Sequence, residues 1–294
     1  MAAATPQVSL RATGSLRRRR IVNKIMEGVG TAAALLAVAV LVVVTVSVAV
    51  RAAPALSWDF LTQPPNLFGG PGGGISSAII GSALIVGMAT ALALPVGVLI
   101  AIYLTEFAPR AVAAPIQLAL DVLNGLPTIV VGIFVYGILV IGHLQSAYAG
   151  AVALSIVMLP LVSRAAQETL LLVPSALREA SLALGVSRWR TVVGVILPTT
   201  FGGIMTGAVL AVARAAGETA PLLFTCSIFS PDVSTDVTKA LPNIPVLIFT
   251  YSEQPDPALH EQAWGAALVL MVFVLVASLG AKALLARSRR KLGR

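Results

Sequence analysis

Between Glu27 and Arg51 the chain passes through 23 consecutive residues, Gly28–Val50, without one charged side chain. As a helix rising about 1.5 Å per residue, such a run is about 35 Å long, enough to cross the roughly 30 Å hydrocarbon core of a bilayer. No water is available there to satisfy a peptide N–H or C=O. The run must therefore be helical, and its many valines do not argue for a strand. Composition agrees: 57% of the 294 residues are hydrophobic and 11% charged, where a soluble domain carries about 25% charge. A soluble helical protein with an ordinary core is a poor fit. We expect an all-α integral membrane protein with six transmembrane helices, at about 28–50, 76–104, 116–141, 148–163, 192–216 and 264–285. They form a transmembrane domain over 28–286, between basic tails 1–27 and 287–294.

The placement of charge orients these spans. Counting Lys282 with the C-terminal tail, the two tails, the 105–115 turn and the 164–191 segment hold 17 of the 20 Lys and Arg. Arg51 and Lys239 fall on the opposite side, and Arg214 falls within a span. By the positive-inside rule both termini are cytoplasmic. The net charge of +8 is thus topology information, not a nucleic-acid footprint. Arg17–Arg20 reads as a topology anchor, with contact to anionic lipid as the alternative. It is not a twin-arginine export signal, because the apolar run behind it is too long for a signal core.

Several chemistries are excluded. The single Cys226 allows no internal disulfide and no cysteine metal cluster, and His143 and His260 lie far apart. The glycines of 69–74 lack a following Lys-Ser/Thr, so they read as a flexible linker and not a phosphate cradle. No Gly-x4-Gly-Lys-Ser/Thr occurs anywhere, nor any nucleophile with an acid–base partner in a plausible cleft. The chain is expected to be non-catalytic and to bind no cofactor or metal.

One long stretch, Arg164–Leu222, mixes charge and apolar residues closely. Pro174 suits the first turn of a helix. Leu177, Ala180, Ser181 and Leu184 share one face of it, and Arg178 and Glu179 lie off that face. Gly185 is placed to end the helix in a left-handed cap, after which Ser187 can cap a second helix from Arg188. With Arg164, Arg178, Arg188 and Arg190 aboard, this element is too charged to span and should be cytoplasmic. Pro198 reads as a bend in the fifth span and Pro95 as a kink in the second. The step Asn124-Gly125-Leu126-Pro127 should break or bend the third. Asp121, near its start, reads as a solvated boundary residue, the alternative being a buried pairing group. The long segment 217–262 lies on the outer side, and Pro221–Phe229 is apolar enough to re-enter the membrane.

Arg214 most needs explaining, since a charge inside a span costs at least about 2.5 kcal/mol on insertion scales. Glu218 is four residues on, so in a continuous helix the two share a face and can pair. Either the pair is only neutralising, or Arg214 faces a translocation path and attracts an anion while Glu218 holds it and limits how tightly it binds. A planar guanidinium suits phosphate because it donates two parallel hydrogen bonds. Arg164, at the end of the fourth span, could guide an anion onward or anchor the helix at the lipid interface.

Glu179-Ala180-Ser181, three residues, Gly185, nine residues and Val195-Ile196-Leu197-Pro198 together resemble the EAA loop of the ABC-importer permeases. Ser181 and Val195 are mild departures from that pattern. Arg214-Ala-Ala-Gly-Glu218-Thr-Ala-Pro-Leu222 is similar to the phosphate-specific members, and its Ala-Pro-Leu tail to their A-type permease subunit. The stretch Asp121 to Phe134, with Pro127 and Gly132, agrees. The resemblance covers about residue 70 to the C-terminus. It implies a type I ABC importer permease fold with cytoplasmic EAA coupling helices, in which Arg178, Glu179, Ala180 and Gly185 couple to a separate ATPase. It also marks Arg214 and Glu218 as functional. The implied partners are a homologous permease, two ATP-binding subunits that hold ATP with Mg, and an extracytoplasmic phosphate-binding protein, in a bacterial cell membrane. Two other readings stand beside it: a permease of this fold for phosphonate, sulfate or molybdate, and an ion-coupled secondary transporter.

Overall fold

The computed structural model describes residues 15–66, 73–230 and 232–292. The first part of the N-terminal tail, most of the glycine run at 69–74 and the last two residues of the C-terminal tail lie outside them. Regular structure among the described residues is entirely helical: α1 Ser15–Ala52, α2 Trp58–Thr62, α3 Ser76–Ile102, α4 Arg110–Gly125, α5 Thr128–Val135 and α6 Ala147–Leu171. Then come α7 Ser175–Ala183, α8 Arg188–Thr191, α9 Leu197–Ala215, α10 Ala220–Thr225, α11 Ile244–Ser252 and α12 Pro257–Leu292. Wider π-helical turns extend α3 (Tyr103–Phe107) and α5 (Tyr136–Val140) and join α8 to α9 (Val192–Ile196).

Five stretches are long and apolar enough to cross a membrane: Leu16–Ala52, Ser76–Phe107, Ala147–Leu171, Arg188–Ala215 and Pro257–Ala283. A sixth arises if Arg110–Gly125 and Thr128–Val140, bent by 99° where they meet, count as one broken span. The cause of that break is local. Proline disfavours the helical region for the residue before it, and Leu126 and Pro127 are both extended, at ψ 136° and 131°. Pro198 behaves differently. It sits just after the Val192–Ile196 π turn, inside a 28-residue helical stretch. A looser turn ahead of a proline relieves the clash of its ring with the preceding carbonyls.

Three helices extend beyond the expected spans, because apolar length sets only a minimum and helices continue until something stops them. α1 begins at Ser15, so Arg17–Arg20 are helical. α12 begins at Pro257 and runs through the basic residues to Leu292. α6 continues through Arg164 to Leu171, so Arg164 lies inside a helix and not at the start of a loop.

The chain divides into two units, residues 1–50 and 51–294. The first is α1 up to Val50, with Leu35, Leu41 and Val50 among its exposed side chains. Such a surface suits hydrocarbon, which is as apolar as leucine. In the second unit α6 is the most buried of the long apolar helices. Ile85, Ala89 and Ala93 of α3 pack with Leu154, Met158 and Val162 of α6 in the main core. α9 lies against α6 through small residues. A Cβ on Gly203 would come within 2.3 Å of Thr169 Cγ2, and one on Gly207 within 2.4 Å of Ala165 Cβ. Small residues at this four-residue spacing let membrane helices approach closely.

The segment 217–262 is folded onto the spans. α10 rests on α5, where a Cβ on Gly132 would come within 2.7 Å of Pro221 Cα. Gln145 clasps the other end of α10, donating to the Phe224 carbonyl at 3.1 Å and accepting from the Ser227 N–H at 2.8 Å. Asn243, 1% exposed, caps α11 by accepting from Val246 N–H at 3.1 Å and donates to the Cys226 carbonyl at 2.9 Å.

Candidate functional site

The charged residues singled out from sequence fall into three separate places. The first is the α9–α10 junction. α9 ends at Ala215: the Ala216 N–H makes a last helical bond to the Val212 carbonyl, and the N–H groups of Gly217 and Glu218 close tight turns on the carbonyls of Arg214 and Ala215. The helix is therefore not continuous from Arg214 to Glu218, as the shared-face argument requires. The two still meet, because the turn folds Glu218 back: Arg214 Nε lies 3.8 Å from Glu218 Oε1. Arg214 occupies the last turn of α9, where unsatisfied carbonyls favour a cation. Its side chain is 59% exposed and that of Glu218 only 18%. Among the described residues this loose contact is the one polar tie on the guanidinium, so its terminal N–H groups remain available. The geometry leaves one fork open beside a loosely held carboxylate, which is what reversible capture of an anion needs.

The second place lies between α4 and α6. Arg164 forms an ion pair with Asp121, both side chains about half exposed. They border a cavity of about 310 Å³ shared with Thr105, Gln117, Gln167 and Glu168. Asp121 is thus solvated, as the first reading has it, and also paired, but it is not buried. Arg164 has Asp121 as its partner and Glu168 beside it, so the cavity carries more negative than positive charge.

The third place is the α7–α8 helix pair. Pro174 stands immediately before α7, and α7 closes at Gly185, whose φ of +77° only glycine adopts without strain. The Val186 N–H reaches back to the Ser181 carbonyl at 3.2 Å and completes the cap. Ser187 stands at the cap position of α8, but its hydroxyl makes no capping bond. The face chosen by spacing is split. Ser181 is buried and shares a 2.8 Å hydrogen bond with Thr191, whereas Leu177, Ala180 and Leu184 are exposed. An apolar stripe marks a covered face only when another element is near enough to cover it. Glu179 is exposed, as are Leu182 and Trp189.

Arg178, off that face, is turned into the chain. Its Nε donates to both oxygens of Glu106, at 3.1 and 3.2 Å, and Nη2 donates to Oε1 at 2.8 Å. Nη1 and Nη2 also donate to the carbonyls of Val173 at 2.6 Å and Leu170 at 2.9 Å. Those carbonyls belong to the end of α6 and the link after it, so Arg178 adds side-chain donors where the helix's own N–H groups run out. Sequence reading gave Glu106 and Phe107 no role beyond their place in the 105–115 turn. Phe107 packs on Trp189 with ring centroids 6.4 Å apart. No local signal finds either contact, because the partners are 72 and 82 residues apart in the chain.

Elsewhere, Lys239 and Asp236 make an exposed pair at 3.5 Å. Hydrogen bonds from the Thr238 hydroxyl and N–H, with the Lys239 charge nearby, hold the Asp236 carboxyl below the usual carboxylate range. No cluster of three metal-ligating side chains occurs among the described residues.

Residues 93–291 match the family of binding-protein-dependent transport system inner membrane components. Over 263 residues the chain is 38% identical to the phosphate transport system permease protein PstA of Haemophilus influenzae, covering 87% of this chain and 91% of that one. It is 40% identical to the PstA of Yersinia pestis, covering 78% and 77%. It is also 40% identical to PstA 1 of Mycobacterium tuberculosis, covering 75% and 73%. Among solved structures, the fold matches the inward-facing MetNI methionine ABC transporter, with a TM-score of 0.57 and 18% identity over 73% of this chain and 95% of that one. An amino acid ABC transporter with histidines matches with a TM-score of 0.52, also at 18% identity, over 72% and 92%.

Proposed function

Since the chain belongs to the family of binding-protein-dependent transport system inner membrane components, we propose that it is the permease subunit of an ATP-driven importer of inorganic phosphate. The observation that carries phosphate is the set of relatives named phosphate transport system permease protein, which the chain matches along most of its length at about two residues in five. The Arg214–Glu218 geometry supplies a chemistry for it. Two free N–H groups of one guanidinium can hold two phosphate oxygens, each such charged hydrogen bond being worth about 1.5–3 kcal/mol. Glu218, partly buried at the turn, competes for the same cation and keeps residence short. Arg164, paired with Asp121 in a cavity with more negative than positive charge, is poorly placed to hold an anion and in this reading anchors its helix at the membrane interface.

In this reading the broken α4–α5 pair counts as one span. The chain crosses a bacterial cell membrane six times with both termini cytoplasmic, and α7–α8 with its links is the cytoplasmic coupling element. Its exposed residues Glu179, Ala180, Leu182 and Leu184, held in shape by the Gly185 turn, form a surface for a separate ATPase. The chain binds no cofactor of its own; ATP with Mg is held by two copies of that ATPase. A homologous permease completes the path, and an extracytoplasmic binding protein delivers phosphate to it.

The test is uptake by the reconstituted complex, comparing labelled phosphate with labelled sulfate for the unmodified chain and for Arg214→Gln. Phosphate is expected to be carried in preference, and Arg214→Gln to lower its uptake at least tenfold with the complex still assembled, one tenfold step being about 1.4 kcal/mol. Preferential sulfate uptake would overturn the substrate, and unchanged uptake in Arg214→Gln would leave the pair as a neutraliser. Gly185→Val, which forces a β-branched residue into a left-handed turn, is expected to lower co-purification of the ATPase while the chain stays in the membrane.

A further inference from the structure

A docked ATPase moves the spans only through whatever fastens the docking pair to them. Two fastenings are covalent: α7 follows α6 after a three-residue link, and α8 runs through the Val192–Ile196 π turn into α9. α3 has no such connection, yet it is the helix packed along α6 in the main core. Two side-chain contacts join it to the docking pair, and both end on the same five residues. Arg178 of α7 grips Glu106, and Trp189 of α8 packs on Phe107. Glu106 and Phe107 are the last two residues of the π-helical turn Tyr103–Phe107 at the C-terminal end of α3.

We propose that this π turn is the element through which motion of the docking pair enters α3, with Glu106, Phe107 and Arg178 as positioning residues for transport. The proposal rests on the reading of α7–α8 as an ATPase-docking surface. Three features of the geometry support it. All three nitrogens of the Arg178 guanidinium are engaged within the chain and its side chain is 23% exposed, so it is built to transmit and has little left to offer a partner. One contact alone would let the pair pivot about it; one contact from each helix of the pair, on either side of Gly185, resists rotation as well as translation. The turn itself is held: the Ala108 N–H closes it on the Tyr103 carbonyl at 2.7 Å, and the Thr105 hydroxyl bonds the Ala101 carbonyl at 2.9 Å.

The experiment uses the complete transporter in proteoliposomes with phosphate-loaded binding protein, measuring phosphate uptake and ATP hydrolysis side by side. The variants are Arg178→Gln, Glu106→Gln, their double, Arg178→Lys and Phe107→Leu. Uptake per ATP hydrolysed is expected to fall about tenfold in each single ion-pair variant, since a part-buried pair is lost whichever partner is removed. The double variant should fall no further than the worse single one, because the two groups make one contact. Arg178→Lys should recover part of the ratio, and Phe107→Leu should lower it about threefold, the size of one aromatic contact. An unchanged ratio, uptake and hydrolysis falling in step, or losses that multiply in the double variant would each overturn the proposal. Should Arg178→Gln fail to assemble, Arg178→Lys and Phe107→Leu decide it, an unchanged ratio in both being fatal. The docking reading fails separately, through undiminished ATPase co-purification with Gly185→Val, a measurement in which the π turn takes no part.

Discussion

The guanidinium of Arg178 has all three nitrogens bonded inside the chain, two of them to a carboxylate that is 10% exposed. That of Arg214 meets one carboxylate at 3.8 Å and is 59% exposed. Both are arginine–carboxylate pairs, yet they suit opposite tasks. A fork engaged through all three nitrogens has little left for a ligand and a high cost of separation, which suits a fastening. A loosely held fork can change partners, because exchanging one carboxylate for another anion alters little in the free energy of the folded chain. The exposed Asp236–Lys239 pair marks the far end of this scale, where solvent screening leaves little interaction at all. Arg164 with Asp121, half exposed but directly paired, stands between.

The largest expected effect is on the saturated fork. Arg178→Ala leaves Glu106 without its cation and takes the side-chain donor from the Val173 carbonyl, and should destabilise the chain by about 3 kcal/mol. Thermal unfolding in detergent checks this, and a melting temperature near that of the unmodified chain would remove the contrast between the pairs. Next comes Arg214→Lys, which keeps the charge and loses the fork. Stability should change by less than about 1 kcal/mol, while phosphate uptake falls about tenfold, because an ammonium is a point donor and cannot match two oxygens at once. Equal uptake by the lysine variant would show that charge alone suffices at this position. The smallest effect belongs to Glu218→Gln. Removing a competing carboxylate worth about 0.5 kcal/mol should tighten phosphate about twofold and slow its release in the same proportion. A half-saturating concentration that rises instead would mean that Glu218 helps bind the anion and does not compete with it.

Much of this was legible in the chain order. The Gly185 turn, Pro127 next to Gly125, and the apolar runs all act through their immediate neighbours, and the structure has a left-handed residue at Gly185 and a 99° break at Gly125–Thr128. Spacing was less reliable where it stood for a surface. Leu177, Ala180, Ser181 and Leu184 share a helix face by period, but only Ser181 is covered, and Arg178, off that face, is the residue drawn inward. Helical period reports which residues are neighbours on one helix; it does not report what lies opposite.

The membrane-spanning helical class was decided by sequence alone, for a physical reason. In hydrocarbon a helix must satisfy its own backbone, so length and apolarity of a segment settle its structure without reference to any other. The orienting charges and the glycine turn are local in the same sense. What only the tertiary structure decided is which carboxylate each arginine holds, and how firmly. Glu106 reaches Arg178 across 72 residues because α3 packs along α6, and Glu218 reaches Arg214 because a tight turn, not a continuous helix, brings it back. Pairing strength depends on distance, burial and the number of donors engaged. Those quantities arise only once helices are packed, so two arginines of the same chemistry became a fastening and an open fork.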